Sequence, residues 1–326
     1  MNRRDAVLAL VALGTAPLAA RAQTAGAPRR VAWISPTTIE NDSRDILEAF
    51  RARMKELGRV EGRDYVLVLR EFGGRLEILP ALVREVLGLR PDVIVTAGSA
   101  TVAALKKETT TVPIVFGTAA DVVEQGFVAS LARPGGNITG VTLRIEVTGK
   151  LVQLLREVLP AARRVAALEH DGDPVASRVI ASFRRAAAAQ NLSMSVAHVK
   201  RLEDFERAFA DVARAKAEAL IVPQLTFFAR YAARISDLAF KARLPMVAQG
   251  QRGMVETALL CYSSDSSENY RRAAVMVDKI LKGAKPGDIP VEEPDRFTLT
   301  LNARVAKAYG IPLSQSLLAR ADRVIE

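Results

Sequence analysis

Arg30-Val31-Ala32-Trp33-Ile34 and Arg164-Val165-Ala166-Ala167-Leu168 open two stretches of this chain that follow the same plan. The first leads to Asp92-Val93-Ile94-Val95 and Pro113-Ile114-Val115, the second to Glu218-Ala219-Leu220-Ile221-Val222 and Pro245-Met246-Val247. Val31 and Ile114 are 83 positions apart, Val165 and Met246 are 81 apart. Short apolar runs without polar alternation mark strands covered on both faces, as in a parallel sheet. The segments between them carry helical periodicity: over 42–57, Ile46, Leu47, Phe50, Met54 and Leu57 share one face, and Gly58 supplies the stop. Tyr65 to Arg70 reads as a strand, Leu76 to Leu89 as a helix, and another helix starts at Ser99. Alternating β and α segments predict parallel sheets, and the matched spacing predicts an α/β protein of two similar Rossmann-like lobes joined by hinge strands.

Working outward, Arg133-Pro134-Gly135-Gly136-Asn137 interrupts the pattern, and Asn137 to Leu143 reads as a strand crossing into the second lobe. Ala258 to Tyr262 is strand-like, with a return near Tyr262. Tyr270, Ala273, Ala274, Val277, Ile280 and Leu281 then give one apolar helix face. Lys285 to Pro294 reads as a surface connection before a last strand at Phe297 to Asn302. The expected division is a leader at 1–22, lobe one at 31–140 with 263–284, lobe two at 141–262, and a segment at 285–326 that fits either lobe.

Met1-Asn2-Arg3-Arg4-Asp5, an apolar stretch from Ala6 to Ala20 and Ala20-Arg21-Ala22 have the layout of an export signal cleaved after Ala22. A membrane span needs about 20 apolar residues, and this stretch is shorter and broken by Gly14, Thr15 and Pro17. Arg3-Arg4 admits a twin-arginine route, yet Ala6 stands where that signal has a large apolar residue, so the general secretory and twin-arginine routes both stay open. The lone Cys261 forms no intrachain disulfide. The expected location is the periplasm, as a soluble and monomeric protein. Over the 326 residues the net charge is +10; without the leader, 43 basic residues stand against 35 acidic. The basic pairs are scattered among acids and aromatic residues make up only 5%, which argues against nucleic acid.

Catalytic signatures are missing. With only His170 and His198, no zinc motif is possible, and no Asp-rich calcium loop is visible. Ser35-Pro36-Thr37-Thr38 stands where a dinucleotide fold has its glycines, and there is neither a phosphate loop nor a Gly-x-Ser-x-Gly elbow. No catalytic residue, metal or cofactor is expected. What recurs is a polar residue where a strand gives way to a helix, the edge at which open parallel sheets bind ligands. In lobe one these are Ser35, Thr96 to Thr101 (including Ser99, Ala100 and Thr101), Thr118 and Asp121; in lobe two they are His170, Asp171, Asp173, Gln224 and Gln249. Ser99 to Thr101 offer amides and hydroxyls at a helix start, a cradle for a carboxylate or phosphate, although Ser99 also serves as a plain helix cap. Asp121 either caps a helix through Val123 to Leu131 or pairs with an ammonium group. Trp33 is core or a stacking wall, and Tyr262 is a hinge or ligand contact. His198 belongs to a surface strand, Cys261 to the core.

Val128-Ala129-Ser130-Leu131-Ala132-Arg133-Pro134-Gly135-Gly136-Asn137-Ile138-Thr139-Gly140 resembles the ABC transporter substrate-binding family, whose characterised members include tryptophan- and phenylalanine-binding proteins. Pro91-Asp92-Val93-Ile94-Val95, Thr111-Val112-Pro113-Ile114-Val115-Phe116, Asp278 to Pro286 and Leu317 to Asp322 extend the likeness over nearly all of the chain after the leader. The resemblance implies a type I periplasmic binding fold that traps a ligand by closure. It departs at the cleft edge: Ala120-Asp121-Val122 replaces Gly-Asp-Pro, His170-Asp171-Gly172-Asp173-Pro174 replaces Asn-Pro-x-Asn-Pro, Gln224 replaces an acid, and Cys261-Tyr262-Ser263 replaces Ser-Tyr-Gly. The function expected is capture of a small carboxylate-bearing molecule for an inner-membrane permease driven by its ATPase. Ser99 and Thr101 would hold the anion, Asp121 or Asp171 an amine, and Trp33, Phe116 or Tyr262 the apolar parts. Presentation to a chemoreceptor or histidine kinase is the alternative, and an exported enzyme using cleft acids is a third reading. A repressor core shares the fold, but no headpiece of about 50 to 60 residues precedes Val31.

Overall fold

The computed structural model describes residues 27–39, 43–143, 147–173, 175–250 and 252–326; the leader read at 1–22 lies outside them. The first half of the chain runs β1 (Arg29–Ser35), α1 (Arg44–Glu56), β2 (Tyr65–Glu71), α2 (Leu79–Gly88), β3 (Val93–Ala97), α3 (Ser99–Glu108), β4 (Ile114–Ala120) and β5 (Ile138–Leu143). There follow α4 (Val147–Val158), β6 (Arg164–His170), α5 (Ala176–Ala189), β7 (Ser193–Val199), α6 (Phe205–Arg214), β8 (Ala219–Val222), α7 (Thr226–Arg230), α8 (Ala232–Lys241), β9 (Met246–Gln249), α9 (Arg252–Val255) and β10 (Leu260–Ser264). The chain ends with α10 (Ser266–Leu281), β11 (Phe297–Asn302), α11 (Ala303–Ala308), α12 (Gln315–Arg320) and β12 (Arg323–Ile325).

Two sheets result. One has the order β2-β1-β3-β4-β5 and is parallel throughout; the other has the order β12-β11-β10-β9-β8-β6-β7, parallel except where β11 meets β10. Within the second, β6 to β10 repeat the 2-1-3-4-5 order of β1 to β5. The last strand, which fits either lobe on sequence grounds, adds to the second sheet: Phe297 pairs with Ser264 and Leu301 with Leu260.

Three stretches carry the chain between the lobes. Between β5 and α4 it passes to lobe two, where α4 packs on α5, β9 and β10. After β10 it comes back: the Asp265 carboxylate accepts from the amides of Ser267 and Glu268 at 3.0 and 3.2 Å, capping α10. Strand β10 continues through Ser264, so α10, not the strand, makes the return to lobe one. Near Glu292, whose amide donates to Gly140 O at 2.9 Å, the chain leaves lobe one again for β11.

Helix α10 seals lobe one. Its Tyr270, Ala273, Ala274 and Val277 join Trp33, Phe50 and Val95 in one core. Tyr270 stacks on Trp33 with centroids 4.8 Å apart, and Phe50 meets Trp33 edge-on at 5.4 Å. Trp33, only 1% exposed, and Phe116, fully buried, are therefore core residues and not ligand walls. Gly117 permits this packing, because a Cβ there would lie 2.5 Å from the Tyr270 ring. On the outer side, Arg59 donates to Asp278 at 2.7 Å and Arg271 pairs with both Glu56 oxygens at 3.1 and 2.9 Å, tying α10 to α1 and the turn after it. Among the described residues no helix is long and apolar enough to cross a membrane.

The helix expected from Val123 to Leu131 is absent. Asp121 adopts φ 50°, and the amides of Gly126, Phe127 and Val128 return to Val123 and Val122 carbonyls in successive turns. Val123, Phe127 and Leu131 have helical spacing, but here the spacing serves a compact turn over the lobe-one core. The capping role considered for Asp121 falls with that helix.

Candidate functional site

In both sheets the carboxyl ends of the strands point to the same interlobe space, a cavity of about 200 Å³. Lobe one lines it with Thr37 after β1, Gly98 and Ser99 between β3 and α3, Thr118 to Ala120 on β4, and Leu143 ending β5. Lobe two contributes Asp173 and Val175 after β6, Gln224 to Thr226 after β8, and Gln249-Gly250 after β9. Ile46, Val179 and Tyr270 add apolar surface. The lobes touch beside the cavity: Arg230 Nη1 donates to Gly73 O at 2.8 Å. Gly98, at φ +81°, turns the chain into α3 and leaves room for lobe two, since a Cβ would lie 3.1 Å from Thr226 Oγ1.

Of the residues picked out from the sequence, the fold brings Ser99, Thr118, Asp173, Gln224 and Gln249 together around the cavity. Ser99 Oγ accepts from Ala120 N at 3.2 Å and donates to Ala120 O at 3.4 Å, tying the start of α3 to the end of β4. The remaining picks lie outside the lining. Ser35 is buried, its hydroxyl 3.2 Å from that of Ser43, and so braces the loop after β1. Thr96 donates to Ile34 O at 3.0 Å within the sheet. Ala100 and Thr101 are not among the described lining residues; Thr101 is 1% exposed, its amide donates to Gly98 O at 3.1 Å, and its buried hydroxyl has no hydrogen-bond partner among the described residues. Asp121 follows Ala120 just beyond the lining. Tyr262 stacks on Phe297 at 5.6 Å across β10 and β11.

The β6 loop decides the electrostatics. His170 is buried, its ring stacked 4.0 Å from that of Phe227 and nearly parallel to it, with Phe228 edge-on. Burial pushes its pKa down, opposed by a backbone hydrogen bond at Lys200 and the charge of Asp171. Asp171 turns outward and accepts from or pairs with His198 Nδ1 at 2.8 Å. Two residues on, Asp173 faces the cavity instead. Burial pushes its carboxyl above the usual aspartate range, and the Val175 amide, donating to Oδ1 at 3.0 Å, only partly offsets this. Asp173 is the one carboxylate among the described lining residues, and no Lys, Arg or His joins it. The acid expected to meet an amine was Asp121 or Asp171; the structure puts Asp173 there. Thr37, Thr226 and Tyr270 are lining residues that the sequence reading does not single out, although Thr226 has a signal in its position just beyond the end of β8.

Chemically, the described lining offers one carboxylate, neutral hydrogen-bonding groups and the start of α3, where the amides of Ser99 and Ala100 precede the helix's own hydrogen-bond ladder. Among the described residues no group of His, Cys, Asp and Glu is placed to hold a metal ion. The family described as ABC transporter substrate binding protein matches residues 36–325. A tyrosine-binding protein of Clostridioides difficile is 23% identical over 219 residues; these are 67% of this chain and 63% of that protein, so the match spans less than two thirds of the relative's length. Among solved structures, the ABC domain in complex with L-Trp from Streptococcus pneumoniae superposes with a TM-score of 0.84 at 20% identity, over 91% of this chain and 100% of that one. A ligand-free, open substrate binding protein with adhesive properties from Clostridium difficile superposes with 0.65 at 18% identity, over 91% and 99%. Two parallel lobes of repeated strand order facing one cavity are the type I periplasmic binding fold, and the chain belongs to the ABC transporter substrate binding protein family.

Proposed function

We propose that this protein captures a small amino-acid-like zwitterion between its lobes in the periplasm and delivers it to an inner-membrane permease. Asp173 carries the reading: a desolvated carboxylate with no protein cation beside it among the described residues is matched by a ligand ammonium. Opposite, Ser99, Thr118 and the α3 amides suit the ligand carboxylate. The cavity, roughly seven liquid-water volumes, suits a metabolite smaller than a drug-sized molecule. Closure follows from the ligand touching both lobes only when they meet. The better superposition on the L-Trp complex than on the open protein supports a closed arrangement.

The test is native mass spectrometry of the purified protein to identify what co-purifies, then calorimetry with an amino-acid panel. Asp173→Asn should cost about 3 to 5 kcal/mol, two orders of magnitude or more in affinity. Because burial raises the free carboxyl, affinity should also fall as pH drops through that raised value. Unchanged binding by the variant removes the ammonium assignment. Loss of ligand uptake on deleting the gene supports import, whereas intact uptake with lost chemotaxis or signalling supports the sensor role.

A further inference from the structure

Lobe two presents more than its acid. Strands β9, β8 and β6 are adjacent, and from their three consecutive ends come Gln249, Gln224 and Asp173, all lining the cavity. The two glutamines meet through a single long contact, Gln224 N donating to Gln249 Oε1 at 3.4 Å. That leaves the whole Gln224 carboxamide and both Gln249 N–H donors without hydrogen bonds to the described residues, at the wall of a partly enclosed cavity. An apolar ligand group closed against them would strand polar groups away from water, which is the strongest form of discrimination a neutral site has.

We infer that Gln224 and Gln249 form a carboxamide pair that selects ligands whose side chain ends in a neutral group able to donate and accept hydrogen bonds, a carboxamide or a hydroxyl. The inference rests on the ammonium reading of Asp173 and adds the side-chain class to it. A second carboxylate on the ligand is disfavoured, because the described lining already holds one negative charge and no side-chain cation. Calorimetry on the full chain tests this with near-isosteric pairs: L-glutamine against L-methionine, L-asparagine against L-leucine, and L-tyrosine against L-phenylalanine, with L-glutamate as the charged control. The expected result is that the polar member of at least one pair binds tenfold or more tighter than its partner, and that L-glutamate binds more weakly than L-glutamine. Gln249→Met and the double variant Gln224→Leu/Gln249→Leu should abolish that preference, while Asp173→Asn should weaken all members and leave the ratio. Equal or reversed affinities in every pair of the wild-type protein overturn the inference while the ammonium reading stands. Binding by none of the seven amino acids overturns both.

Discussion

Lobe one and lobe two share a strand order but divide the work of recognition. The lobe-one edge is made of small neutral groups, Thr37, Gly98, Ser99 and Thr118, around a helix start, whereas the lobe-two edge holds a carboxylate and two carboxamides. Behind these edges, lobe one rests on the Trp33-Tyr270 stack and lobe two on the His170-Phe227 stack. The difference teaches that topology fixes where the strand ends converge and leaves the chemistry at each end free, so two copies of one architecture can grip opposite poles of a dipolar ligand. If so, the lobes contribute unequally. Ser99→Ala with Thr118→Ala, which removes neutral donors, should weaken binding by about 1 to 3 kcal/mol, less than the loss of the Asp173 charge. Titration of both variants with one ligand checks the order; a double alanine variant weaker than Asp173→Asn would place the dominant grip in lobe one.

The second contrast is acid sensitivity. Both histidines of the chain lie in lobe two, and burial holds His170 below the ordinary imidazole range. Its folded value is depressed, so the unfolded chain takes up the proton first. Above about pH 6.5 the group has no effect, and as pH falls below that the folded form loses stability, by at most about 1.4 kcal/mol per unit, until the depressed folded value is reached. His170→Phe keeps an aromatic ring on Phe227 and removes the proton. The difference in unfolding free energy between wild type and variant should therefore change between pH 7 and 5, with the wild type losing ground. A constant difference would mean that the imidazole stays solvated in both states.

The sequence made the strands legible because a strand covered on both faces has no choice but a short β-branched run; Val93 to Val95 and Leu220 to Val222 are fully buried and read so. It was equally plain that polar residues at strand ends face the cleft as a class. Which member of a loop turns inward was not legible. Asp171 and Asp173 differ in sequence only by their place around Gly172, and the choice is made by one distant and one local partner: His198 on the neighbouring strand draws Asp171 outward, and the Val175 amide two residues on holds Asp173 inward. His170 was misplaced for a similar reason, since its burial depends on Phe227, 57 positions away in the sequence. Tyr262 was placed at the cleft because the partner strand that takes up its ring, β11, had no assigned sheet. Lining residues such as Tyr270 come from helices whose approach to the cavity no local pattern encodes.

The smallest effect concerns the place where the two lobes meet. Arg230, at the end of α7 in lobe two, is exposed, stands 5.2 Å from the centre of the Tyr231 ring and donates to Gly73 O in lobe one. That hydrogen bond joins residues of opposite lobes, so it exists only while they are together and adds to closure without touching ligand. An exposed charge-assisted bond is worth about 0.5 to 1 kcal/mol net, the rest being taken back by water. Arg230→Ala should thus lower affinity about two- to fivefold, and because the bond must break before ligand leaves, the change should appear in the dissociation rate. Stopped-flow displacement separates the two rates. A slower association with unchanged dissociation would mean that the guanidinium guides the lobes together and does not hold them, and an unaltered pair of rates would leave the ligand itself, gripped at Asp173 from one side and at Ser99 from the other, as the only bond across the cleft strong enough to matter.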